Sequence, residues 1–204
     1  MTTSALALPA PPQPRLAQFS ARQEEILDAI EGIILIDGFR NLRLRELTAQ
    51  LGTSFATLYQ IAPSKDELVV LVFERWYDAT IREALGLLAK AETPTAQLES
   101  WTAWTIDGVS KMSRTFLNDV GTHTGVRSVL TTYVHYWVEV VHVILDAGIA
   151  AKEFRPVNTD LLATIWEGAA MTLADPDSVQ NARLTPRQFA KDWADIVLYG
   201  IVRK

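Results

Sequence analysis

The segment between Arg43 and Lys65 holds side chains whose chemistry suits contact with nucleic acid. Cationic and hydroxyl groups bind phosphate oxygens, and polar or aromatic side chains at helical spacing can reach base edges in a groove. The candidates for base edges or the groove wall are Phe55, Thr57, Tyr59 and Gln60. The candidates for phosphates are Arg43, Ser54, Tyr59 and Lys65. Together these residues predict a DNA-binding surface.

Two short helices joined by a tight turn are predicted to position this surface. Three leucines at spacings of three and four line one face of the first helix: Leu44, Leu47 and Leu51. Gly52 suits a left-handed residue at the end of that helix, and Ser54 can cap the next one. Pro63 ends the second helix near Ile61, because proline lacks the N–H that a helix interior needs. Helix, turn and helix are the outline of a helix-turn-helix.

The same stretch resembles the DNA-binding domain of the tetracycline-repressor (TetR) family of bacterial regulators. The matching motifs are Gly38-Phe39, Arg45-Glu46-Leu47, Gly52-Thr53-Ser54-Phe55-Ala56-Thr57-Leu58-Tyr59 and Pro63-Ser64-Lys65-Asp66-Glu67-Leu68. The chain departs from the family pattern at Leu42, Thr53, Ala56 and Ile61-Ala62. The resemblance implies an all-α, cytoplasmic regulator with a three-helix head and a C-terminal helical domain for ligand binding and dimerisation. It also implies a homodimeric repressor that a small molecule releases from a palindromic double-stranded DNA operator.

We expect three regions in the chain. Residues 1–19 are predicted to form a flexible arm, since their four prolines exclude a helix there. Residues 20–65 form the helix-turn-helix head, whose first helix begins after Ser20 and carries a stripe of isoleucines. Residues 66–204 form the ligand-binding and dimerisation domain, where the apolar residues follow helical spacing and no strand pattern occurs.

Composition narrows the classes of function. The 204 residues are 49% hydrophobic, as in compact globular proteins, and the absence of cysteine excludes disulfides and thiolate metal sites. The net charge of −5 confines any DNA contact to a local basic surface. No uninterrupted apolar run approaches the roughly 18 residues of a membrane span. The chain also lacks a phosphate-binding glycine loop, a nucleophile elbow and a zincin motif. We therefore expect no membrane partner, no enzyme activity and no cofactor.

Aromatic residues in the second domain predict a ligand pocket between its helices. The candidates are Trp101, Trp104, Met112, Phe116, Tyr133, Trp137 and Trp166. Aromatic side chains offer a large flat surface with a polar tip, which suits an organic molecule inside a helical bundle. The same residues could instead fill an ordinary core. If a pocket forms, its composition favours a hydrophobic or aromatic effector.

The last two predicted helices combine small and large apolar residues. We expect them to pair with their copies as a four-helix bundle. The predicted interface residues are Trp166, Ala169, Ala170, Trp193, Val197 and Gly200. Dimerisation also has a functional reason: one recognition helix reads few base pairs, so two heads must bind half-sites roughly 34–36 Å apart.

A possible metal site and two alternative functions complete the sequence interpretation. His135, Glu139 and His142 lie on one helix face at spacings of four and three, as metal ligands on a helix would. Other polar residues extend the same stripe, so a solvated face explains it and no metal is predicted. Two alternatives stay open for the whole chain: a ligand-binding protein whose head has no specific operator, and a metal sensor.

Overall fold

The computed structural model describes residues 6–13, 18–175, 177–178 and 183–202. Within these ranges the chain folds into nine helices without a strand, which confirms the predicted all-α class. The helices are α1 (Ala21–Asp37), α2 (Leu44–Gln50), α3 (Phe55–Ile61), α4 (Lys65–Leu88), α5 (Pro94–Ser110), α6 (Arg114–Thr122), α7 (Thr124–Ala150), α8 (Thr159–Leu173) and α9 (Pro186–Ile201). An isolated β-bridge between Phe154 and Val202 ties the turn after α7 to the end of α9.

Side-chain caps determine where many of the helices begin. At α1 the Ser20 hydroxyl accepts from the Gln23 N–H, and the Gln23 side chain accepts from the Ser20 N–H at 2.9 Å. Hydroxyl caps also open α3, α4, α5 and α9, at Ser54, Ser64, Thr93 and Thr185. Each cap satisfies a backbone N–H that the helix leaves free, and contributes about 1 kcal/mol to helix stability.

The head consists of α1, α2 and α3. Gly52, in the turn between α2 and α3, has a φ of +57°, a left-handed conformation that glycine adopts readily because it has no Cβ. Leu47 of α2 and Leu58 of α3 are each 1% exposed and belong to the same apolar cluster as Ile30 of α1. The polar side of α3 is thereby left on the surface.

Head and body share one hydrophobic core. The cluster that contains Leu47 and Leu58 continues through Val72 of α4 and Phe116 of α6 to Val126 of α7. The division of the chain near residue 65 therefore stays a prediction about function, because packing is continuous across it.

The centre of the body is α7, which packs against α4, α5, α6 and α8, while α9 packs on α5. By length and composition α7 could cross a membrane, with a mean hydropathy of 1.2 in its most apolar window, but half of that window is buried inside the protein. Burial of this kind is typical of a core helix. At its end, Phe154 packs so closely on Gly148 that a Cβ at position 148 would overlap the ring.

Part of the predicted N-terminal arm lies on the body. Leu6 and Leu8 are half-buried and pack against the apolar cluster formed by α4, α5, α7, α8 and α9. Residues 1–5 and 14–17 of the arm lie outside the described residues, so its predicted flexibility stays a prediction there.

Candidate DNA-binding surface and ligand cavity

The outer side of α3 presents aromatic and polar side chains to solvent. Phe55 is 45% exposed and Tyr59 is 53% exposed, and Gln60 is also on the surface. Leu58 and Ile61 point into the head core and fix the rotation of the helix. Phe55 and Tyr59 are four residues apart, so their exposed rings lie on the same side of the helix and can meet one partner together. The arrangement suits insertion into a groove.

The other predicted DNA contacts have structural partners that limit what they can offer. The Ser54 hydroxyl accepts from the Thr57 N–H at 3.1 Å and lies 2.9 Å from the Thr57 hydroxyl, so both side chains help to begin α3. Lys65 Nζ donates to the Arg40 carbonyl at 2.8 Å. Arg43 pairs with Glu46 at 3.3 Å on the open surface, where an ion pair is worth at most about 1 kcal/mol and can be exchanged for a phosphate.

Two further cations join this surface. Arg40 and Arg45 are exposed, Arg40 in the turn before the helix-turn-helix and Arg45 on its first helix. With Lys65 they form a local basic edge on a chain whose net charge is −5. A phosphate backbone attracts such an edge without regard to base sequence.

A cavity of about 200 Å³ lies between the helices of the body. Helices α4 to α9 all contribute to its wall. Six of the seven predicted ligand residues line it: Trp101, Trp104, Met112, Phe116, Trp137 and Trp166. The same lining contains all six tryptophans of the chain, since Trp76 and Trp193 are also part of it.

Tyr133 does not line the cavity. Its ring stacks on that of Tyr77, with centroids 4.5 Å apart and planes 15° from parallel, and Tyr77 takes the place in the wall. Burial, assisted by the carboxylates of Glu74 and Asp78, raises the pKa of Tyr133 to about 12, so the phenol stays neutral. Tyr133 therefore packs against Tyr77 on the side away from the cavity.

Several lining residues were not among the predicted ligand contacts. From α4 these are Phe73, Trp76, Tyr77 and Thr80, and from α9 they include Phe189 and Trp193. The α4 residues follow helical spacing, so their common face is visible in the sequence. Nothing in the sequence shows whether that face meets other helices or a cavity.

The charged residues of the lining lie at its edge. Glu83, Asp107 and Lys111 are all exposed, and Lys111 Nζ lies 2.7 Å from Asp107 Oδ2. The bond to Asp107 is the main cause that raises the pKa of Lys111. Deeper in the wall, the hydroxyls of Thr102 and Thr105 donate to backbone carbonyls of their own helix. The interior is therefore aromatic and uncharged.

The predicted interface residues of α8 and α9 mostly face inward. Trp166 and Val197 are buried, and Ala169, Ala170 and Trp193 line the cavity. Of the predicted set, Gly200 is exposed. The side chains of Trp166 and Val197 are covered by their own chain, and the predicted interface stays a prediction.

Different residues form the outer apolar face of α8 and α9. These are Leu161, Ile165, Ile196 and Tyr199, with Ile196 67% exposed and Tyr199 81% exposed. We call these four residues the α8–α9 face. Gly168 and Gly200 are exposed on the same two helices and leave room for close approach. Exposed apolar side chains of this size are candidates for contact with another molecule.

The histidines of the polar stripe pair with acids on α8. His135 Nε2 lies 2.9 Å from Glu167 Oε1, and His142 Nε2 lies 3.1 Å from Asp160 Oδ1. Among the described residues no three of the types His, Cys, Asp or Glu gather as a metal-binding cluster. The stripe thus joins α7 to α8, and Glu139 takes no part in these pairs.

The sequence interpretation did not single out one buried carboxylate that joins the body to the head. Asp119 of α6 is 3% exposed, and its Oδ2 accepts from the backbone N–H groups of Phe39 at 2.7 Å and Arg40 at 2.8 Å. On the same helix, Phe116 and Val120 line the cavity. Helix α6 therefore touches the cavity on one side and the turn before the helix-turn-helix on the other.

No protein-family model matches the chain. The uncharacterized HTH-type transcriptional regulator YvaF of Bacillus subtilis is 24% identical over 184 residues, 82% of this chain and 93% of that protein. A transcriptional regulator from Saccharomonospora viridis, solved in complex with choline, has a TM-score of 0.71 at 17% identity, over 89% of this chain and 98% of that one. A TetR-family regulator from Agrobacterium tumefaciens has a TM-score of 0.67 at 14% identity, over 90% of this chain and 98% of that one. AibR, solved with isovaleryl coenzyme A and operator DNA, has a TM-score of 0.61 at 17% identity, over 86% of this chain and 97% of that one.

Proposed function

Because the chain has the fold of the TetR-family transcriptional regulators, as its motifs predicted, we propose that it is a ligand-responsive DNA-binding regulator. It acts as a homodimeric repressor in the cytoplasm, and a small hydrophobic or aromatic molecule releases it from a palindromic operator. One observation carries the proposal: the exposed helix α3 and the aromatic cavity are linked within one chain. The link is the packing of α6, which lines the cavity, against α1 of the head.

The DNA half of the proposal rests on α3 and its basic edge. Phe55, Thr57, Tyr59 and Gln60 read or line the major groove, as predicted from their spacing. Arg43 and Lys65, with Arg40 and Arg45 beside them, meet phosphates and position the helix. AibR, whose fold is similar, is solved on operator DNA, which supports this use of the head.

The ligand half rests on the cavity and on α6. The similar regulators solved with choline and with isovaleryl coenzyme A support a small molecule in the body. A bound molecule that touches Phe116 and Val120 changes the position of α6, and Asp119 carries that change to the turn at Phe39. The effector must bind the two head positions unequally, since only differential affinity shifts an equilibrium.

Fluorescence anisotropy on the DNA upstream of the protein's own gene tests the proposal. The measurement is made at about 150 mM salt with excess unrelated DNA, because phosphate contacts alone are nonspecific and salt-sensitive. Binding that survives the competitor establishes an operator, and release by added compounds then identifies effectors. Binding that disappears with competitor or salt favours the alternative of a ligand-binding protein without a specific operator.

Tyr59→Ala should weaken operator binding about 10- to 100-fold, because each dimer loses two aromatic contacts worth about 1 kcal/mol or more apiece. The side chain is exposed, so folding and dimerisation should be unchanged. Anisotropy measures the affinity, and circular dichroism and sedimentation check the fold and the dimer. Tyr59→Phe serves as the matched variant that keeps the ring and removes the hydroxyl. Unchanged affinity in Tyr59→Ala would show that α3 meets DNA with another face.

A further inference from the structure

We infer that the cavity takes an uncharged, mostly apolar molecule bearing hydrogen-bond acceptors, which are received by the indole N–H groups of Trp101, Trp137 and Trp193. The inference rests on the proposed function, because it names the chemical class of the effector of the same cavity.

Five indole rings form a continuous path along the cavity. Trp104 and Trp137 have centroids 5.1 Å apart, and Trp137 and Trp101 are 6.1 Å apart. The path continues from Trp101 to Trp166 at 4.3 Å and from Trp166 to Trp193 at 5.9 Å. Rings at these separations and tilts present both faces and edges to the enclosed space. Flat apolar molecules pack well against such a wall.

Three of these rings bury a hydrogen-bond donor that has no acceptor. Within the described part of the chain, the Nε1 atoms of Trp101, Trp137 and Trp193 are buried and lack a hydrogen-bond partner. Trp101 is 3% exposed and Trp137 is 8% exposed, so water does not reach these rings freely. Indole nitrogen is a donor only, and a buried indole N–H normally finds a partner. None of the three nitrogens opens onto the cavity, so an acceptor on a bound molecule would satisfy one of them as its ring turns toward the ligand.

The remaining polar groups of the interior do not compete for that role. The hydroxyls of Thr80, Thr102 and Thr105 already donate to backbone carbonyls. Burial raises the pKa of Tyr77, so this phenol is neutral. The threonine oxygens can still accept, but among the described residues the buried groups of the wall that have no partner at all are indole donors, and an acceptor on the ligand matches them.

The cavity disfavours both a negatively charged and a positively charged ligand. An anion would need a cation inside the cavity, but the one lysine of the lining, Lys111, is at the edge and is paired with Asp107. A cation could rest on the indole faces, yet it would leave the three N–H groups unsatisfied and would face their positive edges. A neutral carbonyl compound avoids both costs.

Four naphthalenes of matched shape test the inference by calorimetric titration of the full-length protein. They are 2-acetylnaphthalene, 2-isopropylnaphthalene, trimethyl(2-naphthyl)ammonium and 2-naphthoate. The ketone should bind about tenfold more tightly than the isopropyl compound, because one buried hydrogen bond to a neutral acceptor is worth about 1 kcal/mol or slightly more. The cation and the anion should bind more weakly than the ketone.

Indole-to-phenyl variants show which donors receive the ketone. Trp101→Phe, Trp137→Phe and Trp193→Phe remove an N–H and keep an aromatic ring. At least one of them should reduce ketone binding about 3- to 10-fold while changing isopropyl binding by less than about twofold. Trp104→Phe is the matched control, because Trp104 lines the same cavity and its N–H is not among the unpartnered donors. It should affect both compounds equally.

The inference is overturned if the isopropyl compound binds as tightly as the ketone, if a charged naphthalene binds best, or if none of the four binds. Equal losses for both compounds in all four variants would also overturn it, since that pattern reports ring packing. Operator binding is measured separately by anisotropy. A protein that prefers the ketone but binds no operator upholds the inference and contradicts the proposed regulator.

Discussion

Replacing both Ile196 and Tyr199 with aspartate should convert the protein to a monomer and weaken operator binding at least about 100-fold. Both side chains project from the α8–α9 face into solvent, so the substitutions leave the core of the chain untouched. In a dimer they would bury charge in an apolar interface, where an unpaired carboxylate is costly. The two heads would then no longer be held at the spacing of two half-sites, and each would bind DNA alone.

Sedimentation measures the change in mass, and anisotropy measures the loss of affinity. Leu87→Asp is the matched control: it places aspartate at an exposed apolar position on α4, and it should leave the dimer and DNA binding intact. Val197→Asp should instead reduce the folded population, since Val197 is buried in the same chain. A double variant that still sediments as a dimer would exclude the α8–α9 face as the interface.

Asp119→Ala should lower the free energy of unfolding by about 2–4 kcal/mol, because the buried N–H of Phe39 and the partly buried N–H of Arg40 lose a charged acceptor. The turn from Gly38 to Arg40 has a backbone conformation that lets the Asp119 carboxylate approach closely. Gly38 has a φ of +75°, and a Cβ there would lie 2.5 Å from Asp119 Oδ2. We also expect the variant to lose effector-induced release from DNA, since Asp119 ties α6 to the head.

Urea denaturation measures the stability, and hydrogen exchange at Phe39 and Arg40 reports the turn directly. Asp119→Asn is the matched variant, because its amide oxygen can accept both bonds without the charge. Its loss should be about 1 kcal/mol, with release by effector retained. Asp119→Ala with normal release would mean that another contact between α1 and α6, such as the Ser113 N–H to Leu35 carbonyl bond of 3.1 Å, transmits the signal.

Helix starts and the helix-turn-helix could be predicted from sequence because each depends on neighbours in the chain. Ser20 and Ser54 cap helices through N–H groups three residues away. Gly52 adopts its left-handed φ at the turn where one was expected. Leu58 and Tyr59 are adjacent, yet one is buried and the other exposed, as the helical period requires.

The faces of α8 and α9 could not be predicted in this way. Ile165 and Trp166 are adjacent apolar residues, and so are Ile196 and Val197, but in each pair one is exposed and the other buried. A helix that meets its own core on one side and another chain on the other has two apolar faces. Periodicity alone does not tell which face is which.

The sequence by itself therefore determined the helical class and the helix-turn-helix with its outward α3. The tertiary structure decided which aromatic residues enclose space, which indole N–H groups lack a partner, and which carboxylate joins body to head. The bonds of Asp119 to Phe39 and Arg40 span 80 and 79 residues of chain. Contacts at that separation depend on how whole helices pack, and no local propensity encodes them.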